Sequence, residues 1–186
     1  MDTKEQVWER LKKGAPTSVI IEETGKHHTF VCSFLNHFKQ ELVSQQFLSV
    51  IIDCTRTSTA IDFWRTLGRD VHRAVLPVID DSIADDIEEQ HTEIEQAGAT
   101  LDIKAAIAEI LDIIKENTSH TVLIVLENIA TALDYQEEND MMKIRALTSN
   151  AAIMAVSDKE LDTLALEHYS NPYFCNQFVP PFHLSI

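Results

Sequence analysis

Glycine is scarce in this chain. Four glycines and five prolines among 186 residues leave little material for mobile linkers, and 45% hydrophobic with 24% charged residues are the proportions of a folded globular chain. No apolar run approaches the roughly 18–20 residues that a membrane-spanning helix needs, so a membrane partner is excluded from the reading. The opening segment MDTKEQVWERLKK has no uncharged core of a secretory signal, and the expected location is the cytoplasm. Cysteine is sparse and odd in number. Cys32, Cys54 and Cys175 stand far apart in apolar settings without metal-ligand spacing, so they are read as reduced, buried thiols, with no disulfide framework and no metal site expected. Positive charge is the last shortage. Fifteen Lys and Arg face thirty Asp and Glu, a formal charge of −15, which repels phosphate backbones and argues against a nucleic-acid partner.

The acidity is concentrated between Asp80 and Glu95, where DDSIADDIEEQHTEIE holds eight carboxylates and neither Lys nor Arg. The pattern predicts a solvated helical face or a mobile, partly helical insertion over about 79–100; a docking surface for a basic partner is the sharper alternative.

What is present is a rhythm of short apolar runs and amphipathic helices. Val7, Trp8 and Leu11 mark a lead-in helix over 3–13, closed by Gly14 and expected to pack on the sheet edge. TSVIIE, after Pro16, and FLSVIIDC (47–54) are rich in β-branched residues and predict two strands buried on both faces. Between them Val31, Phe34, Leu35, Phe38 and Leu42 predict one helix from Thr29 to about Gln45. Ile61, Trp64, Leu67, Val71 and Val75 define a helix capped near Thr57 to Thr59 and ended before Pro77. Ile103, Ile107, Ile110, Leu111 and Ile114 define another, up to about Asn117. TVLIVLEN (121–128) is the most apolar strand. A polar loop, a helix through Met141, Ile144 and Leu147, the strand AAIMAVS (151–157), a helix near 158–168, the loop SNPYFCNQF and a last short strand, FHLSI, complete the chain. Alternation of this kind predicts one α/β domain over 1–186: a three-layer sandwich around a five-stranded parallel sheet.

Strand 1 feeding a polar turn and strand 3 ending in an acidic residue resemble the nucleotide-binding core of AAA+ ATPases, and by pattern the STAND and archaeal-type ATPase branch. SVIIE, FLSVIIDCTRTST, TVLIVLEN, NAAIMAVSD and the stretch from His168 to Ile186 carry the likeness over nearly the whole chain. The resemblance implies sheet order 5-1-4-3-2, and the small helical lid of the family is expected to be absent.

The family's motifs are another matter. A phosphate loop reads G-x-x-x-x-G-K-[ST], with glycines for close backbone approach, Lys for the outer phosphates and a hydroxyl for magnesium. Setting Gly25-Lys26 on its G-K pair would put the first glycine at Ile20, inside strand 1. The frame that respects strand and helix puts Glu23 and His28 at the glycine positions, Thr29 at the lysine and Phe30 at the hydroxyl. On strand 3, Leu126 stands where the family has its magnesium-binding Asp, and only Glu127 remains of the pair that binds metal and activates water. Ser157 occupies the place of the strand-4 residue that contacts the outer phosphate.

The resemblance therefore implies a degenerate nucleotide site: Gly25, Lys26, His27, His28, Thr29 and Ser157 form the former phosphate-binding region. Glu127 is its only candidate catalytic group, should the domain hydrolyse at all. Lys26, His27 and His28 also form a small cationic cluster before a helix N-terminus that could hold an anion. The expected role is a non-hydrolysing regulatory or protein-interaction module, a pseudo-ATPase that binds another protein or a second copy of itself and needs no cofactor. An ATPase with an unusual loop, binding ATP with magnesium, is the alternative.

Overall fold

The computed structural model describes residues 2–168, 178 and 181–184. The expected loop from Ser170 to Gln177, Cys175 included, lies outside the described residues. Five parallel strands form one sheet: β1 (Thr17–Ile20), β2 (Phe47–Asp53), β3 (Thr121–Glu127), β4 (Ala151–Ser157) and β5 (Phe182–His183). Their order is β2-β3-β4-β1-β5, the order expected. Of the FHLSI strand, two residues pair, Phe182 and His183 beside Val19 and Ile20.

Helices cover both faces. On one lie α1 (Thr3–Lys12), α2 (His27–His37) and α3 (Lys39–Ser44); on the other lie α4 (Ala60–Val75), α5 (Asp81–Gln96) and α6 (Thr100–Asn117), followed by the shorter α7 (Ile129–Leu133), α8 (Glu138–Leu147) and α9 (Leu161–His168). β3 explains the arrangement. Its side chains alternate, Val122, Ile124 and Leu126 entering the core under α4 and α6 while Leu123 and Val125 enter the core under α2. A strand apolar at every position is what such two-sided burial requires.

Local chemistry sets the ends. The Asp2 side chain accepts a hydrogen bond from the Glu5 N–H at 2.8 Å and the Glu5 side chain accepts one from the Asp2 N–H, a capping box that starts α1. Gly14, at φ +70°, ends it. The Thr59 hydroxyl caps α4 by accepting from the Asp62 N–H.

Several expectations change. α1 lies on the face over β1 and β4, with Trp8 and Leu11 in the core beside Met154 and Val156, rather than on the sheet edge. The helix expected over 29–45 starts two residues earlier and breaks at Phe38, whose ring must turn into the core beside Trp8, at 5.3 Å between centroids. β2 is an edge strand, so Ser49 and Ile51 remain exposed while Val50 and Ile52 are buried; an apolar run could not reveal which strand would lack a neighbour. The acidic segment takes the helical one of its two expected forms: it is the sixteen-residue helix α5, but one face of it is buried through Ile83, Ile87 and Ile94. Its carboxylates distracted from an isoleucine stripe at helical spacing. Gly68 of α4 makes the docking possible, since a Cβ there would stand 2.9 Å from two carbons of Ile94. Cys54 is buried as expected, but Cys32 is exposed, because the buried stripe of α2 runs through Phe30, Val31 and Phe34. Among the described residues no helix is long and apolar enough to cross a membrane.

Candidate functional site

The site lies at the carboxyl ends of the strands, where parallel α/β sheets bind ligands. Strand register decides which residues meet there. Ile20 pairs with Ser157 across β1 and β4, and Asp53 pairs with Glu127 across β2 and β3, so four loops leave the sheet side by side. The loop after β1 runs from Ile21 to Lys26. Ile21 still donates its N–H to the Ser157 carbonyl, and a 3₁₀ turn over Thr24–Lys26 leads directly into α2.

Gly25 sits exposed in that turn, and a Cβ built on it meets nothing within 4 Å. No close backbone approach here demands a glycine. Lys26 places Nζ 3.0 Å from the Glu23 carboxylate, so the loop's lysine is turned toward the acid that stands at the first motif position. Thr29 is exposed on α2, and Phe30 is buried in the core below it.

His27 is the surprise. Read from sequence as part of a cationic cluster that could hold an anion, it is 1% exposed. Its Nδ1 lies 2.6 Å from Asn128 Oδ1 and its Nε2 2.9 Å from the Ile21 carbonyl. Asn128 Nδ2 in turn donates to Asp53 Oδ1 at 3.0 Å, which leaves its amide oxygen facing the His27 ring. Asn128 and Asp53 were not foreseen. The available signal was a polar Asn directly after an apolar strand: Asn128 holds φ +55°, a left-handed conformation that Asn tolerates better than most residues. Burial raises the Asp53 pKa, but hydrogen bonds from Thr55 and Asn128 and the charge of Arg56 outweigh it, and the net shift is downward.

His28 takes the other direction. It is exposed on α2, and Nδ1 stands 3.2 and 3.1 Å from the two oxygens of Glu127, itself 1% exposed. On the far side of the ring, Nε2 lies 3.4 Å from Cys32 Sγ. Thiol, imidazole and carboxylate thus stand in the order of a nucleophile, its base and the base's orienting group. Cys32, however, is on the exposed face of a helix, and the neighbouring cleft of about 160 Å³ is lined by Ile20 to Glu23, Lys26, His183 and Leu184 without it. The geometry gives an accessible thiol beside a base, outside the cleft at the loop. In the folded chain iodoacetamide is expected to modify Cys32 and spare Cys54, whose thiol pKa is pushed up by burial and then by the charges of Asp53 and Glu127. Peptide mapping by mass spectrometry checks this; equal labelling of the two would contradict the burial of Cys54.

Ser157 is buried, and its hydroxyl donates to the Lys159 carbonyl at 2.7 Å. Leu126, at the position of the magnesium-binding Asp, is fully buried in the apolar core. The loop, Glu127 and Ser157 are therefore brought to one end of the sheet, while Thr29 and Phe30 face away from one another.

No family model and no curated protein sequence matches the chain. Solved structures do. The chain is similar to the Aeropyrum pernix ORC2 protein in ADPNP-ADP complexes at 13% identity and TM-score 0.63, covering 97% of this chain and 45% of that one. The Aeropyrum pernix ORC1 protein in complex with DNA aligns at 9% identity and TM-score 0.65, covering 100% and 46%. Cdc6p from Pyrobaculum aerophilum aligns at 9% identity and TM-score 0.53, covering 98% and 45%. The chain spans a little under half the length of the proteins it matches. At these identities the likeness establishes the fold alone, a P-loop NTPase-like α/β core of AAA+ type.

Proposed function

We propose that this chain is a degenerate AAA+-type domain that serves in regulation or protein interaction and does not hydrolyse nucleotide. One observation carries the reading: Glu127, the single motif acid retained, is buried and clasped by His28, which stands on the first turn of α2 at the motif's second glycine position. A carboxylate engaged in that way is not aimed at a water molecule, and Leu126 beside it offers no magnesium ligand. Glu23 adds negative charge where the outer phosphates of a nucleotide would need neutralising. The strand rhythm and the sequence from Ser170 to Phe178 support a place near the STAND branch.

Contact with another protein, or with a second copy, fits the exposed edge strand β2 with Ile51, and Val43 just before it, which is 73% exposed. One solved relative was determined with DNA, but a formal charge of −15 opposes such a role for this domain. Because another relative was solved with ADPNP and ADP, ATP is the ligand to test. Calorimetric titration with and without magnesium is expected to give no saturable heat, and no phosphate release above background. Magnesium-dependent binding with turnover that collapses in Glu127→Gln would instead establish the ATPase alternative.

A further inference from the structure

On the face of the molecule formed by α4 and α5, away from the strand ends, three potential metal ligands meet. His72 projects from α4; Glu88 and His91, one turn apart, project from α5, and their ligand atoms all lie within 4.8 Å of one another. His72 is buried, and its Nε2 makes no hydrogen bond. Glu88 Oε2 stands 3.3 Å from that nitrogen, off the axis of a hydrogen bond. His91 lies on the other side of the same carboxylate, Nδ1 3.8 Å from Glu88 Oε1. A buried imidazole nitrogen left without a hydrogen bond is costly, and here it points at a carboxylate and a second imidazole.

We propose that His72, Glu88 and His91 form a binding site for a divalent transition-metal ion such as zinc. Two imidazoles and one carboxylate are a donor set suited to zinc, copper or nickel, and three protein ligands leave a position for water. Ligands about 2.1 Å from a tetrahedral ion lie about 3.4 Å apart, so a pair at the 4.8 Å limit must close by about 1.4 Å. The two rings are stacked, 3.8 Å between centroids and 1° from parallel. Since imidazole lone pairs lie in the ring plane, one ring must turn for both to reach a shared ion. His91, a quarter exposed, has the room.

The surroundings favour a cation. α5 carries no Lys or Arg, and the nearby Arg69 and Arg73 are engaged by Glu95 and Asp70. An ion at this position would tie the acidic helix to α4 and relieve repulsion along it.

Titration of the metal-free full chain with zinc chloride, followed by calorimetry and native mass spectrometry, is expected to give one ion per chain and a rise in melting temperature that chelator reverses. His91→Ala and Glu88→Gln, both at partly or fully exposed side chains, should each weaken binding at least tenfold, and His72→Gln likewise. Cobalt should give visible absorption bands in the natural chain that are lost in His91→Ala. Cys32→Ser should leave zinc binding unchanged, separating this site from the thiol and imidazole at the strand ends. No uptake at about 100 μM zinc, or binding within twofold of the natural chain in the Glu88→Gln/His91→Ala double variant, overturns the proposal.

Discussion

Alanine at position 27 is expected to destabilise the fold by about 2–4 kcal/mol, from the cavity it leaves and the hydrogen bonds it removes. The His27 ring is 1% exposed and bridges two chain segments 101 residues apart, the β1 loop through the Ile21 carbonyl and the β3 end through Asn128. Without it the Ile21 carbonyl loses its ring donor. The Asn128 side chain keeps its bond to Asp53, and its left-handed backbone, costing about 1–2 kcal/mol for a residue with a Cβ, loses one of the side-chain hydrogen bonds that hold it. Urea unfolding should show the loss in full, with the amides of the β1 loop and of Asn128 exchanging hydrogen faster in native conditions. His28→Ala, at an exposed ring, should cost well under half as much. Equal costs for the two histidines would mean that the network does not hold the loop.

That pair of adjacent histidines also marks the limit of the sequence. The parallel sheet, the two helical layers and the ends of most elements followed from apolar spacing, because a strand buried on both faces and a helix buried on one leave different periodicities; the strand order came from the family resemblance. β3 and β4 needed no structure to be recognised. Periodicity does not say which of two neighbouring polar residues at a helix start turns inward. His27 and His28 are identical in type, yet one rotates under the sheet end to reach Asn128 while the other stays out to meet Glu127. The choice is made by partners a hundred residues away. Cys32 escaped for a related reason: it adjoins Val31 in sequence but lies off the buried stripe. In α5, counting charge concealed an isoleucine stripe that a search for spacing would have found.

On the proposed reading of the loop as degenerate, its contacts are consistent with one another. Once the lysine and the magnesium ligands are gone, free N–H groups and a bare carboxylate at the sheet end would be left needing partners. Two of the positions that depart from the motif make such contacts, Glu23 with Lys26 and His28 with Glu127, and the neighbouring His27 bonds the Ile21 carbonyl just past strand 1. Reverting a single position, such as Thr29→Lys, would therefore not rebuild the site, since the remaining substitutions still occupy it.

Truncating Asp140 to alanine is expected to be the most damaging single change, at about 3–5 kcal/mol, because it strands a buried ammonium. The side chains of Lys104 on α6 and Asp140 on α8 are only 7% and 11% exposed and form an ion pair, and Lys104 Nζ also lies 5.1 Å from the ring centroid of Trp64 on α4. The contact joins three helices on one face of the sheet. Removing the cation is gentler. In Lys104→Met the carboxylate keeps a 3.3 Å bond from the Thr100 hydroxyl and one at 3.4 Å from the Glu137 N–H, and the methionine fills the space of the lysine stem. Combining Lys104→Met with Asp140→Ala should recover part of the loss of Asp140→Ala alone, since no uncompensated charge remains. The ordering is measurable as urea midpoints in a double-mutant cycle. If the double variant is instead as unstable as the sum of the singles, the pair is not coupled, and the helices are held by apolar packing alone.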